Sequence, residues 1–305
     1  MRSRAFVFAA STAVLLLISG SGLPIAAQKP AVAAPDTLRI QVMLDRARFS
    51  PGEIDGKGGQ NTKRAIAAFE RATGTTVADG LAAMGTETTV AYAITADDAA
   101  GPFTAIPEDT MEKAKLERLS YATLVEALAE RFHASPSLLK RLNPSARFEA
   151  GETIQVPNVM AAPEPTSGEG VSIAVSKQGS ALTLTDSTGA VIYYAPVTTG
   201  SRYDPLPIGE WTVTAIVRNP TFNYNPDLFW DADPAHAKAK LAPGPNGPVG
   251  LVWIDISKPH YGIHGTPEPA TVGHSTSHGC VRLTNWDATA VAALVGKGAK
   301  VTFSE

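Results

Sequence analysis

Cys280 is the single cysteine of the chain, and it stands in Ser277-His278-Gly279-Cys280-Val281-Arg282-Leu283. A second histidine, His264, precedes it by sixteen positions in Ile263-His264-Gly265-Thr266. Thiolate is the nucleophilic form of cysteine, and a neutral imidazole can take the thiol proton. One thiol with two histidines therefore suits acyl transfer through a thioester. Gly279 places no side chain beside the thiol, so a peptide carbonyl can approach closely. The backbone N–H groups of Gly279 and Cys280 are candidate donors to the oxyanion of the tetrahedral intermediate. His264 is the candidate base, and His278 a supporting group that positions the thiol or the oxyanion. Arg282 is a candidate either for holding a substrate carboxylate or for pairing with an internal acid. Ser277 and Tyr261 are candidate substrate contacts, with Tyr261 expected to pack rather than react. His260 and His274 are expected at the rim, and 219–224 is a candidate wall loop.

The same region supplies a rival chemistry. His260, His264, His274, His278 and Cys280 are all potential zinc ligands. Histidine pairs spaced by four usually ligate from a helix, and Gly262, Gly265, Pro267 and Gly273 oppose one here. The sequence therefore predicts no metal and no cofactor.

Those residues need a scaffold, and 305 residues allow two or three domains. The formal net charge of -3 carries no basic excess, which sets nucleic-acid partners aside. Arg2 and Arg4 precede an apolar run from Phe6 to Ile18, followed by small residues. This pattern predicts a secretory signal over 1–34, cut after Ala27, Ala33 or Ala34. The run is too short to span a bilayer, so no stable transmembrane segment is expected after cleavage. Exported proteins usually pair their cysteines, which makes a lone Cys280 stand out as a reactive thiol.

Over 36–82, Gln41, Leu44, Asp55-Gly56, Gly59, Thr62, Ala65 and Phe69 follow one another in an order that resembles the helical peptidoglycan-binding domain. Asn61 is the expected N-cap of its second helix. Residues 83–115 lack periodicity and are expected to be a linker with little fixed structure. Over 116–159, Ala129-Glu130-Arg131-Phe132, Leu138-Leu139-Lys140-Arg141-Leu142-Asn143-Pro144 and Gly151-Glu152-Thr153-Ile154-Gln155-Val156-Pro157 resemble the LysM domain. The Gly-Asp usual at the start of that family is Ala122-Thr123 here. Residues 160–170 read as a second linker by composition.

From Val171 onward alternating apolar residues predict strands, with one late helix from Thr284. Gly262-Ile263-His264-Gly265-Thr266, Gly273, Ser277-His278-Gly279-Cys280 and Arg282-Leu283 resemble the L,D-transpeptidase catalytic domain of YkuD type, over residues 171–305. The resemblance implies a multidomain chain. Its mainly-β, YkuD-like β-sandwich catalytic domain would follow a helical peptidoglycan-binding-like domain and a LysM-like α+β domain. It further implies that the carbonyl of Gly265 orients His264. The implied partners are peptidoglycan stem peptides and glycan strands, with an outer-membrane lipoprotein as a possible acceptor, and the implied location is periplasmic or cell-wall associated. The implied activity is cross-linking of stem peptides or attachment of an acceptor amine at the third stem residue. The same acyl-enzyme resolved by water would make an L,D-carboxypeptidase. A non-catalytic wall-binding protein is the rival outside enzymes.

Overall fold

Apolar residues recur along 37–46 at helical spacing. The computed structural model, which describes residues 37–85, 87–160 and 170–305, forms α1 there (Thr37–Arg46). The expected signal segment and residues 161–169 of the second expected linker lie outside the described residues. Gln41 of α1 is buried, so its amide needs partners. Its Nε2 donates to Asp55 Oδ1 and Lys57 O, both at 3.0 Å, and its Oε1 accepts the Gly56 N–H at 2.8 Å. One side chain thereby closes the turn that leads to α2 (Gln60–Thr73). That helix buries Ala65 and Phe69 and stops at Gly74, whose φ of 66° is the left-handed conformation glycine takes without cost. Gly59, not Asn61, occupies its N-cap. Asn61 is taken by a tertiary contact instead, donating to Val272 O at 2.8 Å. α3 (Val77–Met84) starts at Thr76, whose hydroxyl accepts the Asp79 N–H.

The expectation of an unstructured linker over 83–115 is corrected. That stretch holds β1 (Thr89–Ala93), α4 (Ala96–Ala99) and α5 (Thr110–Lys113). α6 (Leu124–Arg131) and α7 (Pro136–Leu142) follow, capped by Thr123 and Ser135. β2 (Thr153–Pro157) then pairs antiparallel with β1, Thr89 opposite Pro157 and Ala93 opposite Thr153. The unit expected over 116–159 therefore takes its first strand from the expected linker. None of the β1 side chains is fully buried, so the strand shows weak alternation, and its partner lies far along the chain.

The remaining strands are β3 (Ser172–Ser176), β4 (Ala181–Thr185), β5 (Val191–Pro196), β6 (Gly209–Arg218), β7 (Phe222–Tyr224), β8 (Ala239–Leu241), β9 (Val252–Ile256), β10 (Gly262–His264) and β11 (Val281–Arg282). α8 (Asn285–Leu294) and β12 (Lys300–Ser304) close the chain. Eight strands join in the order β11-β10-β9-β6-β12-β3-β4-β5, with β7 and β8 a separate pair. The first half of β6 pairs with β12 and the second half with β9, with a bulge between Val213 and Ala215. A strand that changes partners at a bulge turns a corner between two layers. Ile173, Leu182 and Leu184 from one half meet Ile254, Ile263 and Val281 from the other in one core.

The modules share their cores. Leu38 and Val42 of α1 pack with Leu128, Phe132 and Leu139, and Leu44, Phe49 and Phe69 pack against Tyr194 of β5. Polar groups cross the same junction, Asn61 donating to Val272 O and Asn246 to Glu126 Oε1, and the catalytic domain keeps a buried polar cluster of its own. Asp287 is fully buried and accepts Tyr193 OH and Thr284 Oγ1, each at 2.7 Å. Burial outweighs those bonds and lifts its carboxyl to about 6. Asp287→Ala orphans two buried hydroxyls, so it is expected to cost about 2–4 kcal/mol. The check is a lowered Tm in thermal unfolding of the whole chain.

Candidate active site

Sheet geometry assembles the site. On β10, Ile263 points into the core, so His264 points to the opposite face. His264 lies opposite Trp253 of β9 on one side and opposite Arg282 of β11 on the other. Directly opposed residues project from the same face, and so do residues two apart on one strand. Cys280, two residues before Arg282, is thereby brought to the His264 face while Val281 and Leu283 anchor the core. Cys280, His264, His278, Ser277, Arg282 and Tyr261 all line one cavity of about 510 Å³. His260 and the wall residues Phe222, Asn223 and Tyr224 also border it, whereas His274 lies elsewhere, beside Asn61. Among the described residues, no group of three or more His, Cys, Asp or Glu is placed to hold a metal ion.

His264 is 4% exposed, and its Nδ1 lies 2.7 Å from Gly265 O. A carbonyl oxygen only accepts, so Nδ1 carries the proton and Nε2 keeps its lone pair. The Trp253 ring stacks on the imidazole with centroids 5.4 Å apart. Burial, reinforced by the Arg282 guanidinium, lowers the imidazole to about 4. His264 is therefore neutral and able to accept a proton across the physiological range.

Cys280 is half-buried. Burial pushes its thiol up, against the opposing pull of the Gly262 N–H and of Arg282. Its Sγ donates to His260 O at 3.8 Å, a long contact, and no hydrogen bond joins it to His264. The resting pair is thus a neutral thiol and a neutral base rather than a preformed ion pair.

The residues around the thiol divide between shaping and lining. Ser277 is buried, and its hydroxyl donates to Cys280 O at 2.5 Å while its N–H donates to Thr199 O. Its side chain is thereby spent on closing the turn. Gly279 has φ of 98°, and a Cβ there would lie 2.5 Å from Tyr261 Cε1. Only glycine takes that conformation under the tyrosine ring. His278 Nε2 donates to Asp231 Oδ1 at 2.7 Å, with the Phe229 and Trp230 rings against the imidazole. That carboxylate and the stacking Trp253 were not legible in the sequence. Asp231 lies 47 positions from His278, and Trp253 meets His264 only through strand register. The Arg282 guanidinium has no carboxylate within salt-bridge distance among the described residues, which leaves it available to the cavity.

Comparison with known proteins fits this geometry. The YkuD family description, "L,D-transpeptidase catalytic domain", matches residues 170–302, and "Putative peptidoglycan binding domain" matches residues 33–88. The chain is 31% identical over 182 residues to "Putative L,D-transpeptidase YkuD" of Bacillus subtilis (strain 168), covering 59% of this chain and 93% of that protein. Its counterpart in Bacillus licheniformis is 28% identical over 183 residues, covering 59% and 93%. Among solved structures, an L,D-transpeptidase from Mycobacterium smegmatis is similar at 18% identity and a TM-score of 0.38, covering 51% of this chain and 64% of that one. L,D-transpeptidase 3 from Mycobacterium tuberculosis, in complex with a faropenem-derived adduct, is similar at 19% identity and a TM-score of 0.38, covering 51% and 75%. A thiol and a neutral, buried histidine on one face of the sheet thus stand in a chain that belongs to the YkuD family of L,D-transpeptidases.

Proposed function

We propose that this peptidoglycan L,D-transpeptidase works through a thioester on Cys280, with His264 as general base. The observation that carries this reading is the tautomer of His264. Its Nδ1 proton is committed to Gly265 O, so Nε2 is the atom left to take a proton from the Cys280 thiol in the shared cavity. The sulfur attacks the carbonyl of the third residue of a stem tetrapeptide. The tetrahedral oxyanion is met by the Gly279 and Cys280 N–H groups. His264 returns the proton to the departing amine, and D-alanine leaves. An incoming amine then loses its proton to His264, attacks the thioester and releases the thiol. Arg282 is the proposed partner of a substrate carboxylate, because a half-buried guanidinium without a salt bridge seeks one. His278, held by Asp231, supports the turn that carries the thiol.

Acceptors on this reading are the amine of a second stem peptide or of an outer-membrane lipoprotein, while water would give the carboxypeptidase outcome. The pairing of β1 with β2, with α6 and α7 packed alongside, supports a LysM-like module for glycan strands. At 182 residues, the similarity to the Bacillus subtilis protein is longer than the 170–302 stretch and so includes residues before it. Both accessory modules fit an exported, wall-associated enzyme. Among the described residues, no helix is long and apolar enough to cross a membrane. Incubating the whole chain with disaccharide-tetrapeptide is expected to release D-alanine and yield cross-linked dimers in mass spectra. Absence of both products would overturn the reading.

A further inference from the structure

We propose that Glu130, on α6 of the accessory module, is a positioning residue for the base of the catalytic domain. The inference rests on His264 acting as base, and it begins at the carbonyl that orients that ring. Gly265 presses on the side chain of Asn285, so closely that a Cβ on Gly265 would lie 2.2 Å from Asn285 Oδ1. Gly250, on the neighbouring loop, meets the same oxygen at 1.9 Å by the same measure. Asn285 Oδ1 also accepts the Leu251 N–H at 3.1 Å. Asn285, only 1% exposed, is thus the wall against which the Gly265 peptide rests.

The orientation of that amide is set in part from outside the catalytic domain. Asn285 Nδ2 donates to Glu130 Oε2 at 2.9 Å and to Pro245 O at 3.1 Å. Glu130 is itself held, because Tyr121 OH donates to its Oε1 at 2.7 Å. A flipped Asn285 would set its oxygen against the Glu130 carboxylate and Pro245 O and its NH₂ against the Leu251 N–H, losing all three bonds. Glu130 therefore acts with Pro245 O and the Leu251 N–H in holding the amide, and through it bears on where Gly265 O stands and how the imidazole is turned. Burial raises the Glu130 carboxyl, yet an oxygen that accepts from Nδ2 is present in either protonation state. The neighbouring Glu126 grips the same domain differently, accepting from Asn246 Nδ2 at 2.7 Å, and does not touch Asn285.

The test compares full-length wild type with Glu130→Ala, Glu130→Gln and Glu126→Ala. Two rates are read by mass spectrometry: acylation of Cys280 by a carbapenem, and alkylation of Cys280 by iodoacetamide across pH. Glu130→Ala is expected to slow acylation about 10–100-fold, since small misplacements of a catalytic group cost rates of this order. Glu130→Gln keeps the accepting oxygen and is expected to restore acylation to within about threefold of wild type. Glu126→Ala is expected to lower Tm while acylating at close to the wild-type rate. Where Glu130→Ala does not fold, Glu130→Asp withdraws the acceptor by one methylene and carries the same expectation. Wild-type acylation in Glu130→Ala, no rescue in Glu130→Gln, or an equal loss in Glu126→Ala would each overturn the proposal. Should wild type resist the carbapenem while Glu130→Ala still alters the alkylation profile, the acyl-transfer reading fails and the positioning role stands.

Discussion

Cys280→Ala is expected to abolish the acyl-enzyme and to cut D-alanine release by about 10³-fold or more, as loss of a covalent nucleophile does. The protein should remain folded. The thiol is half-buried, and its one protein acceptor is His260 O at 3.8 Å, so little stability is lost with the sulfur. Cys280→Ser keeps the volume and separates size from chemistry. A hydroxyl is a far weaker acid than a thiol, and a neutral imidazole lowered to about 4 is a weak base for it. The serine variant should therefore be nearly as inactive as alanine. The same pair tests β-lactam chemistry: a carbapenem adduct is expected on Cys280 in wild type and on neither variant. Turnover surviving in Cys280→Ala, with Tm unchanged, would remove the thiol from the mechanism. Wall affinity that persists in the variant would then favour a binding protein.

How much of this was written in the sequence follows from how local each signal is. Cys280, Gly279 and His264 sit in short runs whose glycines make chemical sense alone, so the nucleophile and base could be named beforehand. The start of the late helix at Thr284 was legible for the same reason, its hydroxyl accepting the Asp287 N–H three residues on. Asn61 misled because its side chain serves a contact with Val272, 211 positions away, which no window contains. β1 was missed because Thr89–Ala93 needs β2, more than sixty positions later, to be a strand. Asp231, Trp253, Asn285 and Glu130 reach the site through register or between modules. Residues that act through other residues leave no spacing to read. What the sequence treats as separate domains the structure joins through shared cores, and this lets α6 bear on the site.

The pH dependence of Cys280 acylation should separate a working His264 from a structural one. With its imidazole lowered to about 4, wild type is expected to acylate at a nearly constant rate from about pH 5 to pH 8. Below that, protonation removes the base, and the rate falls tenfold per unit. An ordinary histidine near 6.5 would place this limb more than two units higher. His264→Ala removes the base, so its rate should drop about 10²–10⁴-fold near neutrality. It should then climb tenfold per pH unit, because only the small thiolate fraction reacts and burial holds the thiol above its ordinary value. The two curves converge at high pH, where the thiolate no longer needs a base. Folding carries the same signature with a defined sign. The native state holds His264 neutral at about 4 while the unfolded chain protonates it near 6.5. Its contribution is complete above pH 6.5 and is lost as pH falls through about 4, amounting to roughly 3 kcal/mol. Denaturant unfolding of wild type against His264→Ala at pH 7 and pH 4 reads that difference. A wild-type acid limb near 6.5, or a flat profile in His264→Ala, would assign the proton transfer to another group. His278 would be the first to test, since its Nε2 already faces the Asp231 carboxylate.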